Sequence, residues 1–88
     1  MHAKEAEKIY KALANRRRLA IIKLLSIKGK LRVSDIAEEI DLSFKATSKH
    51  LQILKSAGFI ESEQVILEQY YSLISPVHPS IKHALSIL

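Results

Sequence analysis

The chain has 88 residues, of which 48% are hydrophobic and 26% charged, with a formal net charge of +5. That mix describes one small globular domain, neither disordered nor fibrous, and only modestly stable by itself. The absence of Cys excludes disulfides, thiolate metal sites and Cys nucleophiles, and no apolar run approaches the roughly 18 residues of a membrane helix.

Few Gly and Pro residues and widespread helical spacing predict a mainly α fold. Ala6, Ile9, Tyr10 and Leu13 mark one face of a first helix over Ala3 to Leu13. Asn15 is placed to cap a second helix running to about Ile27, with Leu19, Ile21, Ile22 and Leu25 as its apolar stripe and Gly29 beyond its end. Leu31 to Val33 reads as a short extended piece. Ser34 then caps a short helix, Asp35 to Ile40, whose early carboxylates suit the helix dipole. After the tight connection Asp41-Leu42, Ser43 caps a longer helix that runs to Ala57 and stops at Gly58.

Beyond Gly58 the period changes from helical to extended. Phe59 to Gln64 and Leu67 to Leu73 read as a hairpin whose turn is poorly marked, since Val65-Ile66 is β-branched and lacks Gly or Asn. Pro76 and Pro79 break the chain before a last helix, Ser80 to Leu88, with Ile81, Ala84, Leu85 and Leu88 on one face. The expected architecture is helix-helix-helix-helix-hairpin-helix, a single winged helix-turn-helix domain over residues 1–88.

The charges are segregated. No acidic residue lies between Lys8 and Ser34, a stretch holding Lys11, Arg16, Arg17, Arg18, Lys23, Lys28, Lys30 and Arg32, nor between Leu42 and Ile60, which holds Lys45, Lys49 and Lys55. Segregated cations point to a polyanionic partner. On the longer helix, Lys45, Ser48, Lys49 and Gln52 lie opposite Leu51 and Leu54, with Phe44 at its start and Thr47 adjacent. Donors without carboxylates are what phosphates and base edges require. His50 is open to two readings, a DNA contact or a ring packed near the wing. Arg16, Arg17 and Arg18 are candidate phosphate contacts, because cations at a helix N-terminus oppose its dipole and an anion would compensate.

Lys11-Ala12-Leu13-Ala14-Asn15 followed by Arg18-Leu19-Ala20-Ile21-Ile22, then Ser34-Asp35-Ile36-Ala37, Leu42-Ser43, the run Ser48 to Ile60, and Tyr70-Tyr71-Ser72-Leu73 form an ordered set. The chain resembles the ArsR-type winged-helix transcriptional regulators of bacteria and archaea. The resemblance implies a homodimer that pairs its first and last helices across a two-fold axis, through Ala6, Ile9, Tyr10, Leu13, Ile81, Ala84, Leu85 and Leu88. It further implies double-stranded DNA as partner, with the two recognition helices in successive major grooves.

The sequence departs from that pattern in two places. Leu31 to Asp35 has no thiol for the family's metal sensor, and in one helix His78 and His83 would lie about 140° apart. No metal or other cofactor is expected. The wing, Ile60 to Gln69, has three carboxylates and no cation, with Val65, Ile66 and Leu67 near its tip. It is expected to grip DNA poorly, and its apolar tip to contact a protein partner rather than wedge into the minor groove, since a wedge normally has cations around it. A DNA-binding regulator, most simply a repressor, is the leading reading, and a winged-helix protein-interaction module is the alternative. An enzyme is not expected, for want of a Gly-rich phosphate loop, a paired-carboxylate cleft or a nucleophile triad. No secretory signal is legible after Met1, so the expected location is cytoplasmic.

Overall fold

A computed structural model of the chain, describing residues 2–88, contains five helices and three strands: α1 (Ala3–Leu13), α2 (Arg16–Lys28), β1 (Lys30–Arg32), α3 (Val33–Glu39), α4 (Phe44–Ser56), β2 (Ile60–Val65), β3 (Glu68–Leu73) and α5 (Pro79–Ile87). Local chemistry sets most of these boundaries. The Asn15 side chain accepts from the backbone N–H groups of Arg17 and Arg18 at 3.0 and 3.1 Å, which satisfies two of the donors every helix start leaves open. Ser43 Oγ does the same for Ala46 at 3.1 Å and starts α4. Gly29 ends α2 at φ 88, a conformation costly for any residue with a Cβ. Asp41 turns the chain between α3 and α4 at φ 54, in the left-handed region its short polar side chain tolerates.

Most boundaries fall within a residue of expectation, and two departures have a clear local cause. Ser34 does not cap α3: the helix begins at Val33, its N-cap is Arg32, and no side chain bonds the cap. Instead the Arg32 guanidinium clasps the Asp35 carboxylate with two 3.0 Å bonds across the first turn. At the other end, α5 opens one residue earlier than expected. Pro79 occupies its first turn, where its missing N–H costs nothing, and His78 Nδ1 accepts from Ser80 N at 3.1 Å.

The wing is more than a hairpin. β1 joins it to make a three-stranded antiparallel sheet in the order β1-β3-β2, with Leu31 opposite Tyr71 and Tyr71 opposite Ser62. The two-residue turn falls at Ile66-Leu67, one residue beyond the expected Val65-Ile66 because Val65 still pairs with Glu68, and Ile66 holds φ 58. Positive φ at the first central residue suits the right-handed strand twist but is normally left to Gly.

A single core lies between the helices and the inner face of the sheet. Ile21, Ile22 and Leu25 of α2, Ile36 of α3, Leu51 and Leu54 of α4, Phe59, Ile60, Tyr71 and Ile81 are all buried. Truncating one such Leu or Ile to Ala costs about 2–5 kcal/mol, a large part of what a domain this size holds in total. The placement of α4 therefore depends on every layer beneath it.

Candidate nucleic-acid interface

The α3–turn–α4 unit presents one face of α4 to solvent. Phe44, Lys45, Lys49 and Gln52 are exposed there, and Ser48 is half-buried. With Ile53 they line an open groove of about 600 Å³ along the helix. No carboxylate lines it. The helix N-terminus at Phe44 adds backbone N–H groups and the positive end of a dipole, both attractive to phosphate. Gln52 Nε2 also donates to the Tyr71 hydroxyl at 3.4 Å, so the sheet steadies the far end of this face.

Thr47 does not belong with these residues. Its side chain is fully buried, and Oγ1 has no hydrogen-bond partner. The position follows the inward spacing of Leu51 and Leu54, and that spacing overrides its polar identity.

The three consecutive arginines diverge. Arg16 is exposed. Arg17 donates from its guanidinium to the Ile40 carbonyl at 2.6 Å and so pins the end of α3 to α2. Arg18 turns the opposite way. Its Nε donates to the Ala12 carbonyl at 2.6 Å, one terminal nitrogen to the Lys11 carbonyl at 3.1 Å, and the other lies 3.3 Å from His50 Nδ1. Arg17 and Arg18 are therefore engaged within the fold, which corrects the expectation that all three reach outward to phosphates.

His50 sits at the end of this chain of contacts. Desolvation, with help from the nearby Arg18 and Arg17 charges, holds its pKa below the ordinary histidine value. The neutral ring can accept the Arg18 proton at Nδ1. The ring packs within the fold, but its partner is Arg18 rather than the wing expected for it, so it ties the recognition helix to the α1–α2 junction.

Two of the wing's three carboxylates, Glu63 and Glu68, are paired. β1 supplies two cations that the hairpin lacks. Lys30 Nζ bonds Glu63, and Arg32 lies 3.8 Å from Glu68. These exposed pairs add little stability but lower the wing's net negative charge. Lys55 of α4 donates to Ser62 at 2.8 Å. At the tip, Ile66 and Leu67 are 86% and 91% exposed.

The residues expected at a dimer face divide in two. Leu13, Ile81 and Ala84 are buried within this protomer and serve its own core. Tyr10 is 67% exposed, Leu88 is exposed, and Ala6, Ile9 and Leu85 are half-buried. Exposed Ile87 was missed, because it lies beside the expected stripe. A cleft of about 320 Å³ where α1 meets α5 is lined by Ala6, Ile9, Tyr10, His78 and His83, among others. His78 Nδ1 is already engaged with Ser80. No helix of the described residues is long and apolar enough to cross a membrane.

Comparison with known proteins agrees with this architecture. Residues 15–62 match the model of the bacterial regulatory protein family arsR. A cadmium resistance transcriptional regulatory protein CadC homolog from Staphylococcus aureus is 36% identical over 78% of the chain, and an HTH-type transcriptional regulator from Mycobacterium tuberculosis is 38% identical over 78%. The chain spans 57% of the length of the first and 30% of the second. Among solved structures, a homodimeric winged helix-turn-helix DNA-binding domain from Mycobacterium bovis superimposes with a TM-score of 0.79 at 31% identity, covering 96% of this chain and 74% of that one. NolR from Sinorhizobium fredii gives 0.83 at 28%, covering 97% and 81%. These relatives are regulators, not enzymes. From its core outward to its helix-turn-helix, the chain belongs to the arsR family of bacterial regulatory proteins.

Proposed function

We propose that the chain is a transcriptional regulator that binds double-stranded DNA as a homodimer, with α4 in the major groove. The observation that carries this reading is the exposed, carboxylate-free face of α4. Lys45 and Lys49 hold phosphates or guanine edges, Ser48 and Gln52 supply adaptable donors and acceptors, and Phe44 offers an apolar contact of the kind a thymine methyl accepts. Arg16 remains a candidate phosphate contact. Repression by occupying the operator is the simplest outcome.

Fluorescence anisotropy of a labelled mixed-sequence duplex, titrated across a salt series, tests this reading. Affinity should fall steeply with salt, and a Lys45→Ala/Lys49→Ala variant should bind more weakly with a shallower slope. A wild-type chain that binds no duplex at low salt, or a variant indistinguishable from it, refutes the assignment of α4.

The dimer is built, in this reading, on Tyr10, Ile9 and Ala6 of α1 with Leu85, Ile87 and Leu88 near the C-terminal end. Burying that apolar strip stabilises both a small domain and a nine-residue terminal helix. Mass in solution of a Tyr10→Glu/Ile87→Glu variant should be that of a monomer.

The exposed tip residues Ile66 and Leu67 support a second, subsidiary reading, a protein contact at the wing. Cutting Val65, Ile66 and Leu67 back to Ala should then weaken assembly or binding. A triple variant unchanged in both refutes it. Cytoplasmic action belongs to the same proposal.

A further inference from the structure

A second groove adjoins the reading face. It measures about 630 Å³, lies between α1 and α4, and shares Gln52 and Ile53 with the groove that runs along α4. Ala12 and Ile53 contribute apolar surface to it. Its α1 wall carries Lys4, Lys8 and Lys11, and Glu7 is the one carboxylate among its lining residues.

The wall of the groove is therefore lysine-rich, with three cations to one carboxylate. Lys4 and Lys8 are four residues apart and Lys8 and Lys11 three, so three cations share one face, balanced within the helix by Glu5 and Glu7. Lys4 also stands in the first turn, where a cation opposes the dipole. Glu7 lies nearest Lys11, at 4.0 Å and well exposed. Lys4 and Lys8 have no ion-pair partner among the described residues. A polyanion lying against this wall would meet three lysines and a single carboxylate.

Two further features favour DNA as that polyanion. The groove is continuous with the proposed base-reading face, so one duplex can reach both. The wall is also fixed relative to α4. Arg18 bonds the Lys11 and Ala12 carbonyls at the end of α1 and lies 3.3 Å from His50 on α4, so the end of α1 is tied to the recognition helix. The apolar side of α1 points elsewhere: Lys8 and Tyr10 project about 160° apart, which leaves Tyr10 free for a second copy of the chain.

We propose that Lys4 and Lys8, assisted by Lys11, hold backbone phosphates of the same duplex whose bases meet α4, extending the footprint onto α1. The proposal rests on the DNA-binding reading of α4. Glu7 moderates this contact by occupying Lys11.

The test is the salt dependence of duplex binding for five forms of the full chain: wild type, Lys4→Ala/Lys8→Ala, Glu7→Gln, Lys45→Ala/Lys49→Ala, and Lys28→Ala/Lys82→Ala as a charge-matched control. The control lysines lie on α2 and α5 and line neither groove. All the replaced side chains are exposed, so folding is preserved. The Lys4/Lys8 variant should lose about 0.9 in log–log slope for each phosphate contact removed, about 2 per protomer. Glu7→Gln should bind more tightly with a steeper slope, an effect opposite in sign that a merely structural role for α1 does not produce. The control should keep the wild-type slope. An unchanged slope for Lys4/Lys8 beside a weakened Lys45/Lys49 variant overturns the α1 contact and leaves the α4 assignment standing. An equal loss in the control overturns it too, since net charge alone would then account for the effect. A wild-type chain that binds no duplex refutes both readings together.

Discussion

Replacing Arg18 by Met keeps an aliphatic stem of similar reach and removes the guanidinium, which isolates three hydrogen bonds. The 2.6 Å bond to the Ala12 carbonyl is part-buried and charge-assisted, and contributes about 1.5 kcal/mol. The 3.3 Å contact with His50 contributes about 1, and the exposed bond to Lys11 about 0.5. The sum is about 3 kcal/mol, a substantial fraction of the roughly 4–13 kcal/mol expected for a chain of this length. For a domain of this size each kcal/mol moves Tm by about 4–8 °C, so the variant should melt about 12–24 °C lower at matched protein concentration. Circular dichroism melts of wild type, Arg18→Met, His50→Ala and the double variant measure this and the coupling between the two side chains. The coupling should be about 1 kcal/mol. A loss below about 3 °C, or a coupling of zero, would refute the claim that Arg18 locks α1 to the recognition helix.

Other outcomes follow from the same contacts. Thr47→Val removes a buried hydroxyl without a partner and keeps its shape, so the urea midpoint should rise by an amount equivalent to about 1 kcal/mol. A fall would mean that the hydroxyl has a partner in solution. Because the fold holds His50 below its ordinary pKa, the unfolded chain takes up that proton first as the pH drops. Stability should therefore fall as pH is lowered through about 6.5 and stop falling below the folded pKa, and a His50→Gln chain should lack that part of the slope in urea titrations. Ile66→Gly relieves a left-handed residue worth about 1–2 kcal/mol against a glycine entropy cost of about 0.5–1, so the hairpin should gain about 0.5–1 kcal/mol in the same measurement.

Elements with strong local signals were legible in the sequence. Asn15, Ser43, Gly29 and Gly58 bracket α2 and α4 because caps and stops act within a turn of the chain, and the stripes of Ile21, Ile22, Leu25, Leu51 and Leu54 are periodic over enough residues to be read. β1 was not legible as a sheet strand. Three residues carry no alternation, and their pairing partners, Tyr70 to Ser72, lie 40 residues downstream. The roles of Arg17 and Arg18 were hidden for the same reason, since their charges are local but the acceptors, from Ala12 to Ile40 and His50, are set by tertiary structure. Thr47 was a conflict between type and spacing, and the spacing with Leu51 and Leu54 carried the information. The apolar stripe of α5 was seen, but no single-chain pattern tells which of its residues face the home core and which face a partner copy.

The junction of β1 with α3 has a mechanical consequence. Arg32 ends the strand and Val33 begins the helix, with no loop between them. Anything that tugs on the wing through β3 pulls directly on the supporting helix of the helix-turn-helix, and the Arg32–Asp35 clasp stiffens that joint. The wing and the supporting helix of the helix-turn-helix thus share a backbone joint without an intervening loop, so the position of β3 and the start of α3 are set together.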